Sequence, residues 1–154
     1  MIVIADTSPI NYLILIGYTD ILRDLFSQVI LPQAVWKELN SADAPEVVRN
    51  WVNQRPEWLV IETVEQIDEA LNELDEGEKE AIALAQELGC DLLIIDEKRG
   101  REKAVSRGLK VVGTLGVLDQ ARNLIDIEDA VRRLQQTSFR ASPKLWKHLL
   151  DPEN

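Results

Sequence analysis

Short apolar runs alternate along the chain with segments whose apolar residues recur at helical spacing. Such alternation is typical of a parallel β-sheet that is covered by helices on both faces. The predicted strands are Ile2–Ala5, Val29–Leu31, Trp58–Thr63, Leu92–Ile95 and Val111–Val112. The pattern therefore predicts a three-layer α/β/α domain with a parallel sheet of four or five strands.

Helices are predicted between these strands from apolar spacing and capping residues. Ser8 followed by Pro9 offers an N-cap acceptor and a favourable first helical residue. The most regular helix covers Asp75–Leu88 and stops at Gly89. The other helical segments are Thr19–Phe26, Pro32–Leu39, Pro45–Gln54, 66–73, the charged segment up to Arg107, Thr114–Asn123, Glu128–Gln136 and Ser142–Leu150, the last two forming a helical carboxyl-terminal region.

Length and composition favour one domain over residues 1–154. A hydrophobic fraction of 45% suffices for a core of this size, and no change in composition divides the chain. Asp6 and Asn11 interrupt the apolar amino-terminal run and no basic residue precedes it, so we expect neither a signal peptide nor a membrane span. The single Cys90 cannot form an internal disulfide, which favours a reducing, cytoplasmic location.

Charge and residue counts narrow the chemistry that this chain can perform. A formal net charge of −10 argues against a non-specific nucleic-acid binder, although it leaves room for an enzyme with a local basic rim. One histidine, His148, and one cysteine, Cys90, are too few for a zinc site and make a catalytic triad improbable. Any catalysis must therefore rely on carboxylates.

Two aspartates follow predicted strands directly, Asp6 after Ile2–Ala5 and Asp96 after Leu92–Ile95. Ligands of open parallel sheets bind beyond the carboxyl ends of the strands, where both residues are expected. Two carboxylates at one rim repel each other, and a divalent cation such as Mg²⁺ or Mn²⁺ relieves the repulsion. The alternative is that each aspartate only caps the helix that follows it.

Glu38 and Glu78 are further candidates, each with a structural alternative. Glu38 lies on a predicted helix, where a lone glutamate usually faces solvent. Glu78 follows Asp75 by three residues, which is the spacing of a capping box and on the residues alone the favoured interpretation. Gly77 costs about 1 kcal/mol relative to alanine in a first helical turn and could mark the close approach of another backbone or a ligand.

A basic stretch begins directly after Asp96 and contains Lys98, Arg99 and Arg101. A metal site that is flanked by such side chains suits a phosphodiester, because the cation polarises the phosphate while the basic groups hold the backbone. The alternative is a solvated helix face.

Four segments together resemble the motifs of the PIN-domain family. Its members are small metal-dependent nucleases and include the VapC-type toxin ribonucleases. Ile2–Ser8 is similar to the first motif, an apolar strand that ends in a metal-binding Asp. Leu31–Glu38 resembles the second, Gly77–Ala85 the third and Leu93–Asp96 the fourth, in the family's order. A narrower resemblance, to a prokaryotic PIN-like subgroup of unknown function, is carried by Asp6–Pro9, Leu74–Glu78 and Gly113–Leu118. Where many relatives carry further aspartates, this chain has only Glu97 and then Asp119.

The resemblance implies a PIN-like fold and a Mg²⁺- or Mn²⁺-dependent ribonuclease. Its metal-binding and catalytic set is Asp6, Glu38, Glu78 and Asp96, so Glu78 becomes a probable ligand and Asp75 can cap without it. Asp6 and Asp96 would bind the metal directly. Implied substrate-binding residues are Ser8, Lys98, Arg99 and Arg101. The toxin branch further implies an antitoxin partner and a homodimer, for which Tyr12–Ile16 with Leu22 and Leu25 offers an apolar surface.

Two other functions compete with this interpretation. A non-catalytic PIN-like module that binds RNA or a protein partner is favoured by the net negative charge and the thin metal shell. A receiver-like phosphoacceptor domain expects an acidic pair after the first strand and a lysine after the last one. Here Asp6 stands alone and Gly113-Thr114 follows Val111–Val112, so this function ranks low.

Overall fold

The five predicted strands form one parallel sheet in a computed structural model that describes residues 1–152. They are β1 Val3–Ala5, β2 Val29–Pro32, β3 Leu59–Glu62, β4 Leu92–Ile94 and β5 Val111–Val112. The strand order is β3-β2-β1-β4-β5, so β1 lies at the centre of the sheet. The predicted three-layer α/β/α architecture is confirmed.

Helices connect the strands and cover both faces of the sheet. In chain order they are α1 Thr7–Ile16, α2 Asp20–Phe26, α3 Gln33–Leu39, α4 Glu46–Asn53, α5 Glu76–Leu88, α6 Lys98–Ser106, α7 Thr114–Gln120, α8 Ile127–Gln135 and α9 Pro143–Leu150. None of the helices within residues 1–152 has the length and apolarity that crossing a membrane requires.

Two of the helix predictions from the sequence were wrong. Residues 66–73 contain only a short 3₁₀ turn, Glu69–Leu71, because this stretch buries Leu71 alone and so lacks the apolar stripe of a packed helix. The first helix begins at Thr7, and Asp6 occupies the N-cap position that we predicted for Ser8. The consequence is that the Ser8 hydroxyl is available for other contacts.

Alternate residues of the strands enter two separate cores. Val3 and Ala5 face α1, whereas Ile4 faces the layer of α5 and α6. Leu13 and Leu22, which belong to the apolar surface that we predicted for a partner, are fully buried in the first core. Burial of such side chains contributes about 1.5–3 kcal/mol each. Much of that segment therefore belongs to the core, whereas Tyr12, Leu15 and Leu25 are partly exposed.

Candidate active site

The carboxyl ends of the central strands open on a cavity of about 340 Å³ that is lined by three of the four predicted acids. Asp6 follows β1, Glu38 lies on the helix after β2, and Glu78 lies in the first turn of α5. We call this space the acidic cavity and define it by these three residues. Side chains that sequence reasoning did not assign to a site also line it: Asn11, Tyr12, Ser41, Asp43, Asp75 and Glu97.

Asp6 is buried in the acidic cavity, with only 5% of its surface exposed. Its side chain makes no capping hydrogen bond to α1, and its Oδ1 atom has no hydrogen-bond partner. Burial raises the pKa of Asp6 to about 7, and the negative charges of Asp75, Glu38 and Asp96 add to the increase. A hydrogen bond from the Thr7 backbone lowers the pKa of Asp6 against these effects, but contact with the helix start leaves the buried Oδ1 without a partner.

Glu78 takes part in the capping box that its spacing predicts. Its N–H donates to Asp75 Oδ1 over 2.8 Å, and its Oε1 accepts from the Asp75 N–H over 3.3 Å. The second oxygen, Oε2, is buried without a partner. Burial is the main cause that raises the pKa of Glu78 well above its usual range, with Asp75 contributing. Capping occupies one oxygen and leaves the other free, so the two interpretations of Glu78 are compatible.

Gly77 brings the first turn of α5 against the other two acids of the cavity. A Cβ atom at this position would lie 3.1 Å from Asp6 Oδ1 and 3.2 Å from Glu38 Oε2. Glu38 is exposed but held in place, because Thr7 Oγ1 donates to its Oε2 over 2.8 Å. The unexpected glycine in a helical turn is thus explained by close approach to the carboxylates.

Asp96 does not line the acidic cavity but a neighbouring one, and it accepts three hydrogen bonds. Ser8 Oγ donates to its Oδ2 over 3.0 Å, and the Thr114 hydroxyl donates to the same oxygen over 2.7 Å. The backbone N–H of Thr114 donates to Oδ1, also over 2.7 Å. Gly113 holds the N-cap position of α7, and the buried Thr114 that follows it anchors Asp96.

The basic residues after Asp96 separate into two groups. Lys98 and Arg101 line a second cavity together with Asp96 and Ser8. Arg99 lies elsewhere, where its guanidinium is 3.7 Å from Glu73, so the structure does not bring it to the acids. Glu97 lines both cavities, whereas Asp119 pairs with Arg122 within its own helical segment.

The donor set of the acidic cavity suits a divalent cation through two of its residues. Asp6 Oδ1 and Glu78 Oε2 are buried oxygens without partners, and such groups are costly unless an ion or a donor satisfies them. Within residues 1–152, however, no three His, Cys, Asp or Glu side chains converge on a common metal position. A third protein ligand therefore requires a side chain to rotate, and Glu38 would have to give up its hydrogen bond from Thr7 to do so.

Gly100 of α6 packs directly against the carboxylate of Glu78. A Cβ atom there would lie 2.5 Å from Glu78 Oε2 and 2.7 Å from Ile95 Cδ1. Gly→Ala stabilises an open helix position by about 0.5–1 kcal/mol. At this position we expect Gly100→Ala to destabilise the protein by about 1–3 kcal/mol through overpacking, as measured by urea unfolding. Stabilisation would contradict the packing of α6 on the Glu78 carboxylate.

One comparison with known proteins identifies a family. A family model described as PIN domain matches residues 2–153. No curated protein and no solved structure matches the chain significantly. The family model covers all the residues that line the acidic cavity and the second cavity, which contains Lys98 and Arg101.

Proposed function

The chain belongs to the PIN-domain family, whose members are generally nucleases, and on this premise we propose that it is a Mg²⁺- or Mn²⁺-dependent endoribonuclease. The observation that carries the proposal is the pair of buried, unpartnered oxygens of Asp6 and Glu78 in one solvent-open cavity. Two such carboxylates side by side destabilise the metal-free protein. A cation bound between them would relieve their repulsion, and this relief favours its binding.

In the proposed mechanism Asp6 and Glu78 would hold one cation, and Glu38 would act on it through a water molecule. Asp96 takes a supporting place, because Ser8 and Thr114 already bind both of its oxygens. The cation supplies Lewis-acid polarisation of the phosphate and acidifies a water molecule.

The remaining steps fall to side chains whose positions are fixed by hydrogen bonds. Glu38, which is held by Thr7, accepts a hydrogen bond from the attacking water and orients it in line with the scissile bond. The water oxygen bonds to phosphorus and passes a proton to Glu38 while the bond to O3′ breaks. O3′ takes a proton from solvent, which leaves a 5′-phosphate and a 3′-hydroxyl. Lys98 and Arg101 lie beside Asp96, where they hold the RNA backbone.

Cleavage of RNA in the presence and absence of metal tests this function. We expect structured and single-stranded RNA to be cut with Mn²⁺ or Mg²⁺, and EDTA to abolish the activity. The same ions should raise the melting temperature, because they bind only the folded acidic cavity. Cleavage that persists in EDTA contradicts the proposal.

A non-catalytic PIN-like module that binds RNA or protein is the second candidate. It is favoured by the net charge of −10. It is also favoured because no three His, Cys, Asp or Glu side chains within residues 1–152 converge on one metal position. RNA binding without cleavage, with no change in melting temperature on adding metal, would support this function. A toxin role, an antitoxin partner, a homodimer, a cytoplasmic location and a single-domain chain remain predictions.

A further inference from the structure

A second cavity of about 540 Å³ adjoins the acidic cavity and shares Ser8, Tyr12 and Glu97 with it. We call it the basic groove and define it by Ser8, Asp96, Lys98, Arg101, Phe139 and Arg140. Its lining includes residues of α6 and of the segment between α8 and α9. The shared residues place this groove directly beside the acidic cavity.

Three cations in the basic groove carry charge that no nearby carboxylate neutralises well. Lys98 is 87% exposed at its side chain and approaches Glu102 only to 3.9 Å. Arg101 makes no ion pair within the described part of the chain. Arg140 donates only to two backbone carbonyls of its own segment, over 3.1 Å each.

The carboxylates in the groove do not cancel this charge. Asp96 and Glu97 each bring one negative charge to the lining of the groove, so Lys98, Arg101 and Arg140 leave an excess of one positive charge. Because the rest of the molecule is acidic, the three exposed cations form a local site for phosphate.

An aromatic ring provides an apolar surface in the same wall as Arg140. Phe139 is half-buried and packs edge-on against Tyr12 at 5.1 Å and against Trp146 at 5.9 Å between ring centroids. These contacts fix the ring, and Leu145 beside it is 52% exposed. A fixed ring next to phosphate-binding cations suits an unpaired nucleotide, since every base can stack on an aromatic surface.

We infer that the basic groove binds the unpaired nucleotide next to the scissile phosphate, with Arg140 contacting RNA phosphate and Phe139 packing on the base. This inference rests on the proposed function and names the substrate as single-stranded RNA. It also assigns a substrate contact to the segment between α8 and α9, far in sequence from the four acids.

RNA binding without turnover tests the groove separately from catalysis. The protein carries Asp6→Asn and is kept in EDTA, and the probe is a fluorescent single-stranded RNA of about ten nucleotides. Arg140→Ala should weaken binding about fivefold and reduce the salt dependence of the dissociation constant by about 0.7 in slope. Phe139→Leu should weaken single-stranded binding about fivefold and leave binding of a duplex of equal length unchanged. Arg132→Ala, an exposed arginine of α8 outside both cavities, is the matched control.

The outcomes separate the groove from the nuclease activity. Groove-dependent RNA binding by a protein that never cuts RNA supports this inference and overturns the proposed function. Metal-dependent cleavage with RNA affinity unchanged by Arg140→Ala and Phe139→Leu overturns the inference and leaves the function. Preference for an acidic peptide over RNA of equal charge, lost in the same two variants, also overturns it and assigns the groove to a protein partner.

Discussion

Asp6→Asn is expected to lower the rate constant of metal-dependent RNA cleavage about 1000-fold, the size of effect seen when one strong electrostatic contact to a reacting centre is removed. Asparagine keeps the size of the side chain but loses the negative charge, and the unpartnered Oδ1 becomes a weaker ligand. The same substitution should abolish the rise in melting temperature on adding Mn²⁺. Both effects follow from the position of Asp6 at the end of the central strand.

Single-turnover cleavage by wild-type and variant protein measures this prediction. Asp20→Asn is the matched control, because Asp20 is an exposed aspartate of α2. Its ion pair with Arg23 is weak, with 4.0 Å between its Oδ1 and the guanidinium. We expect the control to retain wild-type cleavage. Glu78→Gln extends the comparison, since glutamine can still complete the capping box and any loss of cleavage then reports the missing charge. Undiminished cleavage by Asp6→Asn contradicts the proposed site.

The fold could be predicted from the sequence because its signals are local. Continuous apolar runs such as Leu92–Ile95 are needed when a strand is covered on both faces, and few other elements produce them. Parallel strands place their carboxyl ends at one edge, so Asp6 and Asp96 could be assigned to the same rim without knowledge of the strand order. The structure adds that β1 and β4 are direct neighbours, with the Asp6 N–H bonded to Ile94 O over 2.9 Å.

The parts that the sequence did not reveal depend on the rotation of helices and on pairs that are distant in the chain. Arg99 and Arg101 differ by two residues on α6, so they point to different sides, and only Arg101 reaches the basic groove. The contact between Thr114 and Asp96 joins residues that follow different strands, so no local signal in the sequence indicates it. Arg140 belongs to none of the motifs in the sequence, and only tertiary folding places it near the acids.

Metal-free Asp6→Asn protein is expected to be more stable than the wild type at about pH 8, by about 1–3 kcal/mol. The folded-state pKa of Asp6 is raised by burial to about 7 from an ordinary value of 3.8. A raised pKa means that the folded state binds the proton more tightly than the unfolded state. The stabilisation by that proton is complete below about pH 4 and is lost progressively as the pH rises to about 7. Asparagine is neutral at every pH and avoids this loss.

Urea unfolding in EDTA at about pH 5 and about pH 8 checks the sign of this effect. The difference in unfolding free energy between Asp6→Asn and wild type should grow by about 2–3 kcal/mol from the lower to the higher pH. Asp20→Asn should show no such growth, because its side chain is 73% exposed. Adding Mg²⁺ at the higher pH should reverse the order and favour the wild type, since the cation stabilises the ionised carboxylate that burial penalises. A difference that stays constant with pH, or a variant that is less stable at both values, would assign Asp6 a structural hydrogen bond in place of a cation-binding role.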